Sequence, residues 1–145
     1  LADLLRAESR DKEARELLLQ ALAFAPGNGP TLHALGLLET RSGDPDKALD
    51  YLGRAAEVEQ DGTRHRFVYA IALHDLGQPE TAVETLKSLL RDAPQNQEVL
   101  LALANYLAEM GETAQAAEYA RTLTRLAPGN QAYQQLYRRL SAESG

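Results

Sequence analysis

The sequence predicts an all-α protein built from repeated pairs of helices, and three observations predict it. Glycines at 43, 77 and 111 stand 34 residues apart. Five residues after each comes an alanine, Ala48, Ala82 or Ala116. Pro26, Pro94 and Pro128 keep the same step. Aligned columns at one fixed spacing mark an internal repeat, and a helical repeat of about this length marks stacked helix pairs.

Residues 1–28 read as the last part of an earlier repeat. Ser9 stands in the glycine column, Ala14 in the alanine column and Leu18 four residues beyond it. The pattern therefore predicts one helix ending near Ser9 and another running on to Pro26. The first full repeat, 29–62, carries Leu32, Leu35, Gly36 and Leu38 at helical spacing. Gly43 ends that helix, because it takes the left-handed C-terminal conformation without a Cβ penalty. Asp44-Pro45 then supplies a capping side chain and a proline for the first turn. The second helix runs through Ala48 and Leu52, and Gln60 alone departs from the proline column.

Repeat 63–96 follows the same plan with Gly77, Gln78-Pro79, Ala82, Leu86 and Pro94. Repeat 97–130 does so with Leu100, Leu103, Ala104, Leu107, Gly111, Ala116, Ala120 and Pro128. The alanine column reads as the closest approach of the two helices in each pair. Residues 131–145 begin one more first helix, with Tyr133, Leu136, Tyr137 and Leu140 on one stripe. Gln134, Gln135, Arg138 and Arg139 surround that stripe, which is the pattern of a helix closing the end of an array. A polar tail, Ser141 to Gly145, comes last, and nine helices are expected in all. Leu1 falls in mid-helix, with no initiator Met and no signal peptide, so the chain reads as the C-terminal piece of a longer protein.

Composition narrows the chemistry. Of 145 residues, 44% are hydrophobic and 25% charged, the balance of a folded soluble chain. No cysteine is present, which removes disulfides, thiolate zinc sites and covalently attached haem. The net charge of −6 repels phosphate backbones and anionic lipid, so nucleic acid is not an expected partner. No apolar run approaches the roughly 20 residues that span a bilayer, so membrane insertion is not expected either. His65 and His74 are nine apart and His33 lies a repeat away, which is not metal-ligand spacing. Asp44-Pro45-Asp46 reads as a helix cap, since it lacks the glycine and distal glutamate of a calcium loop. No nucleophile or acid–base pair stands out, and no cofactor is implied.

The 34-residue period and its columns resemble the tetratricopeptide repeat (TPR) family. That family's pattern has Trp, Leu, Gly and Tyr on the first helix and Ala, Phe, Ala and Pro on the second. The first-helix places here hold Leu32, Leu35, Gly36 and Glu39; Arg66, Tyr69, Ala70 and Leu73; and Leu100, Leu103, Ala104 and Leu107. The second-helix places hold Ala48, Leu52, Ala55 and Gln60; Ala82, Leu86, Leu89 and Pro94; and Ala116, Ala120, Leu123 and Pro128. Arg66 and Glu39 occupy usually apolar places, and the Trp is absent.

What the resemblance implies is a right-handed superhelical solenoid of antiparallel pairs with a C-terminal capping helix. It also implies a non-enzymatic scaffold whose first helices line a groove for a protein or peptide partner. The groove-facing places are filled by His33, Leu37, Arg41, Arg64, Phe67, Val68, Ile71, His74, Leu101 and Asn105. Leu37, Phe67, Ile71 and Leu101 would form an apolar strip, with Arg41, Arg64, His74, Asp75, Glu98 and Glu109 around it. The same large residues at helical spacing also read as core, and both readings stand at this stage. The family's carboxylate clamp needs cationic and Asn side chains where this chain has His33, Leu37, Val68, Glu98 and Ala102, so chaperone-tail binding is not expected. Alternatives are a docking module contacting the rest of a parent enzyme or multihaem electron carrier, and, against the charge, an RNA-binding repeat. The compartment, cytoplasmic or periplasmic, is left open.

Overall fold

A computed structural model describes residues 2–58 and 63–144, with side chains from residue 6 onward. The helices are α1 (Ala2–Phe24), α2 (Gly29–Ser42), α3 (Pro45–Val58), α4 (Thr63–Asp75), α5 (Pro79–Asp92), α6 (Gln97–Glu109), α7 (Thr113–Leu126) and α8 (Gln131–Ser144). No strand occurs among the described residues. Leu1, Gln60 and Gly145, on which parts of the repeat reading rest, lie outside them. The chain divides into two compact units, Leu1–Tyr69 and Ala70–Gly145.

The punctuation works as the spacing implies. Gly43, Gly77 and Gly111 adopt φ of 82°, 89° and 82°, the left-handed region that a side chain resists. At the first of them the backbone N–H of Gly43 reaches Thr40 and that of Asp44 reaches Glu39, so two end carbonyls of α2 are satisfied. Asp44 Oδ1 accepts from the backbone N–H of Lys47 at 3.2 Å and caps α3. Gln78 does not follow suit, because its side chain makes no cap hydrogen bond; α5 starts on Pro79 alone. Ala93 and Ala127 sit at nearly the same extended φ and ψ, −136°/73° and −135°/72°. Each precedes a proline whose ring disfavours helix at that residue, and α5 and α7 stop there.

Two expectations are corrected. Eight helices are present among the described residues rather than nine, because α1 runs unbroken through Ser9. The segment Ser9-Arg10-Asp11 carries neither the glycine nor the proline that break the later repeats, so nothing there stops a helix from propagating. The polar end is also helical, since α8 continues through Ser144.

Packing follows the columns. In the first unit α2 lies against α3, and α1 against α2. Leu32, Leu35, Leu38, Ala48, Leu52 and Ala55 form its core. A Cβ on Gly36 would stand 2.5 Å from Leu52 Cγ and Cδ2, so this glycine is what lets α3 approach. Glu39, on an apolar column, is only 4% exposed. Arg15 of α1 accounts for it: Arg15 Nε donates to Glu39 Oε1 at 2.6 Å, and Nη2 to Ser42 Oγ at 2.7 Å. In the second unit α6 and α8 both pack on α7, and α5 on α6. Ala82, Leu86, Leu89, Leu100, Leu103, Ala104, Ala116, Ala120, Leu123 and Leu140 are buried there. The alanine column is fully buried at Ala48, Ala82 and Ala116, as expected of close-approach positions.

Candidate protein-interaction site

Each first helix buries one face, and the residues singled out from the sequence range from exposed to half-buried. On α2, His33 is half-buried, whereas Leu37 is 44% exposed, an unusual setting for a leucine. Arg41 at the end of that helix is exposed and pairs with Asp11 of α1, Nη2 to Oδ1 at 3.1 Å. His33 stacks on His65 of α4 with ring centroids 5.0 Å apart. In the first unit's part of α4, Arg64 is exposed while Phe67 and Val68 are half-buried. Half burial places these two between the core and groove readings.

The second unit shows a defined concavity. Asn96 starts α6 by accepting from the N–H of Val99 at 3.2 Å, and Asn130 starts α8 by accepting from Tyr133 at 3.1 Å. Between the two helices lies a depression of ≈ 460 Å³ lined by Leu101, Asn105, Ala132, Tyr133, Gln135, Leu136 and Arg139. Leu101 and Asn105 come from the expected set and are brought together here. The Tyr133 hydroxyl donates to Gln97 Oε1 at 3.3 Å and ties the two helices near their starts. No carboxylate lines the hollow, and among the described residues none pairs with the exposed guanidinium of Arg139.

The α8 contribution was missed by sequence reasoning, which treated that helix only as a cap. The signal was available. Carried on at the 34-residue step, the groove-facing columns of Arg64, Leu101, Val68 and Asn105 arrive at Ala132, Gln135, Leu136 and Arg139.

At the other end of α6 stands a polar cluster shared with α4. The imidazolium of His74 on α4 donates through Nε2 to Glu109 Oε2 at 2.6 Å and through Nδ1 to Asp75 Oδ1 at 3.1 Å. Its ring lies flat on Tyr106, with centroids 3.7 Å apart and planes 2° from parallel. Burial works against the imidazolium, yet the hydrogen bonds and charges of Glu109 and Asp75 outweigh it and raise the His74 pKa above 6.5. Burial first, then the same two carboxylates, push the Tyr106 hydroxyl up to about 12. His74 is thus already engaged, a structural tie from α4 to α6. Ile71 beside it is half-buried. Among the described residues no group of three or more acidic or histidine side chains is placed to hold a metal ion. No helix among them is long and apolar enough to cross a membrane.

Helix pairs joined at turns whose glycines adopt positive φ, with asparagine caps at the starts of α2, α6 and α8, define a helical-repeat protein. Sequence profiles of the tetratricopeptide repeat family match residues 33–97 and 73–140, together well over half of the chain. The chain belongs to the tetratricopeptide repeat family, whose members mediate protein and peptide interactions. Among solved structures it is similar to MamA, with a TM-score of 0.77 at 19% identity over 100% of this chain and 85% of that one. It is also similar to YrrB, described as a TPR protein with an unusual peptide-binding site, with a TM-score of 0.70 at 21% identity over 92% of this chain and 69% of that one. For pilF of Pseudomonas aeruginosa the TM-score is 0.73 at 21% identity, over 95% of this chain and 63% of that one. At such identities the likeness establishes the fold. No curated protein sequence matches.

Proposed function

We propose that this chain is a non-enzymatic interaction scaffold that takes a segment of a partner protein on the exposed faces of its first helices. The contact residues in this reading are those expected from the repeat, His33, Leu37, Arg41, Arg64, Phe67, Val68, Ile71, His74, Leu101 and Asn105. The observation that supports it best is the concave wall between α6 and α8, where leucines stand among amides on a solvent-facing surface. Apolar side chains framed by polar ones are the composition of an interface, where a few central anchors supply most of the affinity. A large exposed leucine on α2 adds a second such face.

The test is selection of peptides from a displayed random library on the native chain, followed by binding to Leu37→Asp and Leu101→Asp variants. Peptides that lose about tenfold or more in affinity to one of the variants support the reading. Peptides that bind both variants as well as the native chain would refute it. Phe67→Ala sorts its own position: near-neutral thermal stability keeps Phe67 as a contact residue. A loss of about 3–5 kcal/mol makes it core.

A further inference from the structure

We propose that the hollow between α6 and α8 binds an extended peptide segment carrying a leucine-like side chain beside an internal Asp or Glu. The proposal rests on the scaffold reading and names the partner chemistry for one face of it. Three features of the wall carry it. Leu101 and Leu136, both half-buried, give the hollow an apolar floor against which a leucine-like side chain can pack. Asn105 and Gln135 flank that floor, and each amide has a donor and an acceptor to offer a peptide group of an extended backbone. A helical segment would have its own backbone groups satisfied and would make no use of them.

Arg139 supplies the charge. On a chain of net charge −6, the other arginines given partners above are neutralised by the chain's own acids, Arg15 by Glu39 and Arg41 by Asp11. Arg139 lines the hollow with no carboxylate in the lining and no ion pair among the described residues. A guanidinium at the edge of an apolar surface is suited to a bidentate carboxylate pair. One arginine matches one side-chain carboxylate. A terminal carboxylate held with selectivity calls for several converging cations, and the hollow has a single one.

The experiment is an NMR titration of the uniformly ¹⁵N-labelled chain with capped peptides of alternating Leu and Asp, with Leu–Asn and Leu–Lys peptides as matched controls. The Leu–Asp peptide should shift the amides of Leu101, Asn105, Leu136 and Arg139. It should bind about tenfold more tightly than the Leu–Asn peptide, and Arg139→Gln should abolish that preference while Arg139→Lys keeps part of it. Added salt should narrow the gap. Equal binding of the Leu–Lys peptide, or an unchanged preference in Arg139→Gln, overturns the proposal. So does tighter binding of a Leu–Asn peptide with a free C-terminus, which would make the site a terminal-carboxylate reader. Protection of the hollow by concentration-dependent dimerisation, seen in sedimentation, would assign it to a second copy instead and equally overturns it. Shifts confined to α2 and the start of α4 would sink this inference and leave the scaffold reading standing.

Discussion

The helix pair α2–α3 of the first unit and the pair α6–α7 of the second fill the same columns with different residues. At the eighth place of the first helix the former has Gly36 and the latter Ala104; at the matching place on the second helix they have Leu52 and Ala120. All four are buried. One pair gives up a methyl on the first helix to seat a leucine from the second, and the other spreads the volume over two alanines. The middle repeat sets Ala70 with Leu86, so the exchange is a tendency of the pair rather than a strict rule. Three places further along, the first unit buries Glu39 where the second has Leu73 and Leu107. What a column conserves is the filling of space and the pairing of charge, and residue type is secondary to both.

The sharpest way to break this comparison is a double-mutant cycle at Gly36 and Leu52. Leu52→Ala alone should cost about 2–5 kcal/mol by leaving a cavity under α2. Gly36→Ala alone brings a Cβ to 2.5 Å from the Leu52 side chain, and that overpacking should outweigh the helix-propensity gain of about 1 kcal/mol. Together the two changes recreate the alanine pair of the second unit. In the Leu52→Ala background Gly36→Ala should therefore become neutral or stabilising, a coupling of about 1–3 kcal/mol. Denaturant midpoints of the four proteins measure it, and additivity would show that the two residues do not share the space.

Next in size is the buried ion pair of the first unit. Arg15→Ala leaves Glu39 buried without its cation and should destabilise by about 2–3 kcal/mol, below the value for a fully buried pair because the Arg15 side chain is 30% exposed. Replacing both, Arg15→Met with Glu39→Leu, restores the apolar column of the second unit and should come out near neutral or better. Should the double replacement cost as much as Arg15→Ala, the ion pair has a packing role that leucine cannot fill.

A smaller effect checks that the two units share their punctuation. Asn28 caps α2 by accepting from Thr31 at 2.9 Å, as Asn96 caps α6. Asn28→Ala and Asn96→Ala should each cost about 1 kcal/mol, whereas Gln78→Ala should fall within about 0.5 kcal/mol of the native chain. Unequal costs at the two asparagines would mean that their helices start under different tertiary constraint.

These residues also show what the sequence made legible. The repeat frame, the glycine turns and the buried alanines follow from spacing, because each depends on local backbone geometry that recurs every period. Asn28, Asn96 and Asn130 are equally periodic, so their caps are legible from the same spacing. Arg15 as the partner of Glu39 was not legible, since it joins residues from different repeats and one-dimensional periodicity says nothing about cross-repeat pairs. The hollow is half legible: Leu101 and Asn105 follow from the frame, while the apolar stripe and polar surround of α8 read as a cap and not as a wall. Ser9 misled for the opposite reason, because a column match does not carry the conformational freedom of the glycine it replaces.

The smallest expected effect separates the two units by pH. The first unit's tie is Arg15 to Glu39, and arginine does not titrate near neutrality. The second unit's tie is His74, held between Glu109 and Asp75 on the face of Tyr106. Its pKa is raised on folding, so the folded state binds the proton more tightly than the unfolded chain does. The stabilisation is therefore complete below 6.5, the unfolded value, and is lost as pH rises through the raised folded value. Tyr106, pushed up to about 12, stays neutral throughout that window and adds no titration of its own. Both carboxylates stand on the solvent side of the cluster, so the gain is that of an exposed pair, about 1 kcal/mol or less. Thermal unfolding of the native chain and of His74→Gln, followed from about pH 6 to pH 9, should give a difference that shrinks steadily with rising pH. His33 and His65 are present in both proteins and cancel. The difference between native and Arg15→Ala over the same range should stay flat. A His74→Gln difference that is constant with pH would mean that the flat stacking on Tyr106, and not the charge, holds α4 to α6.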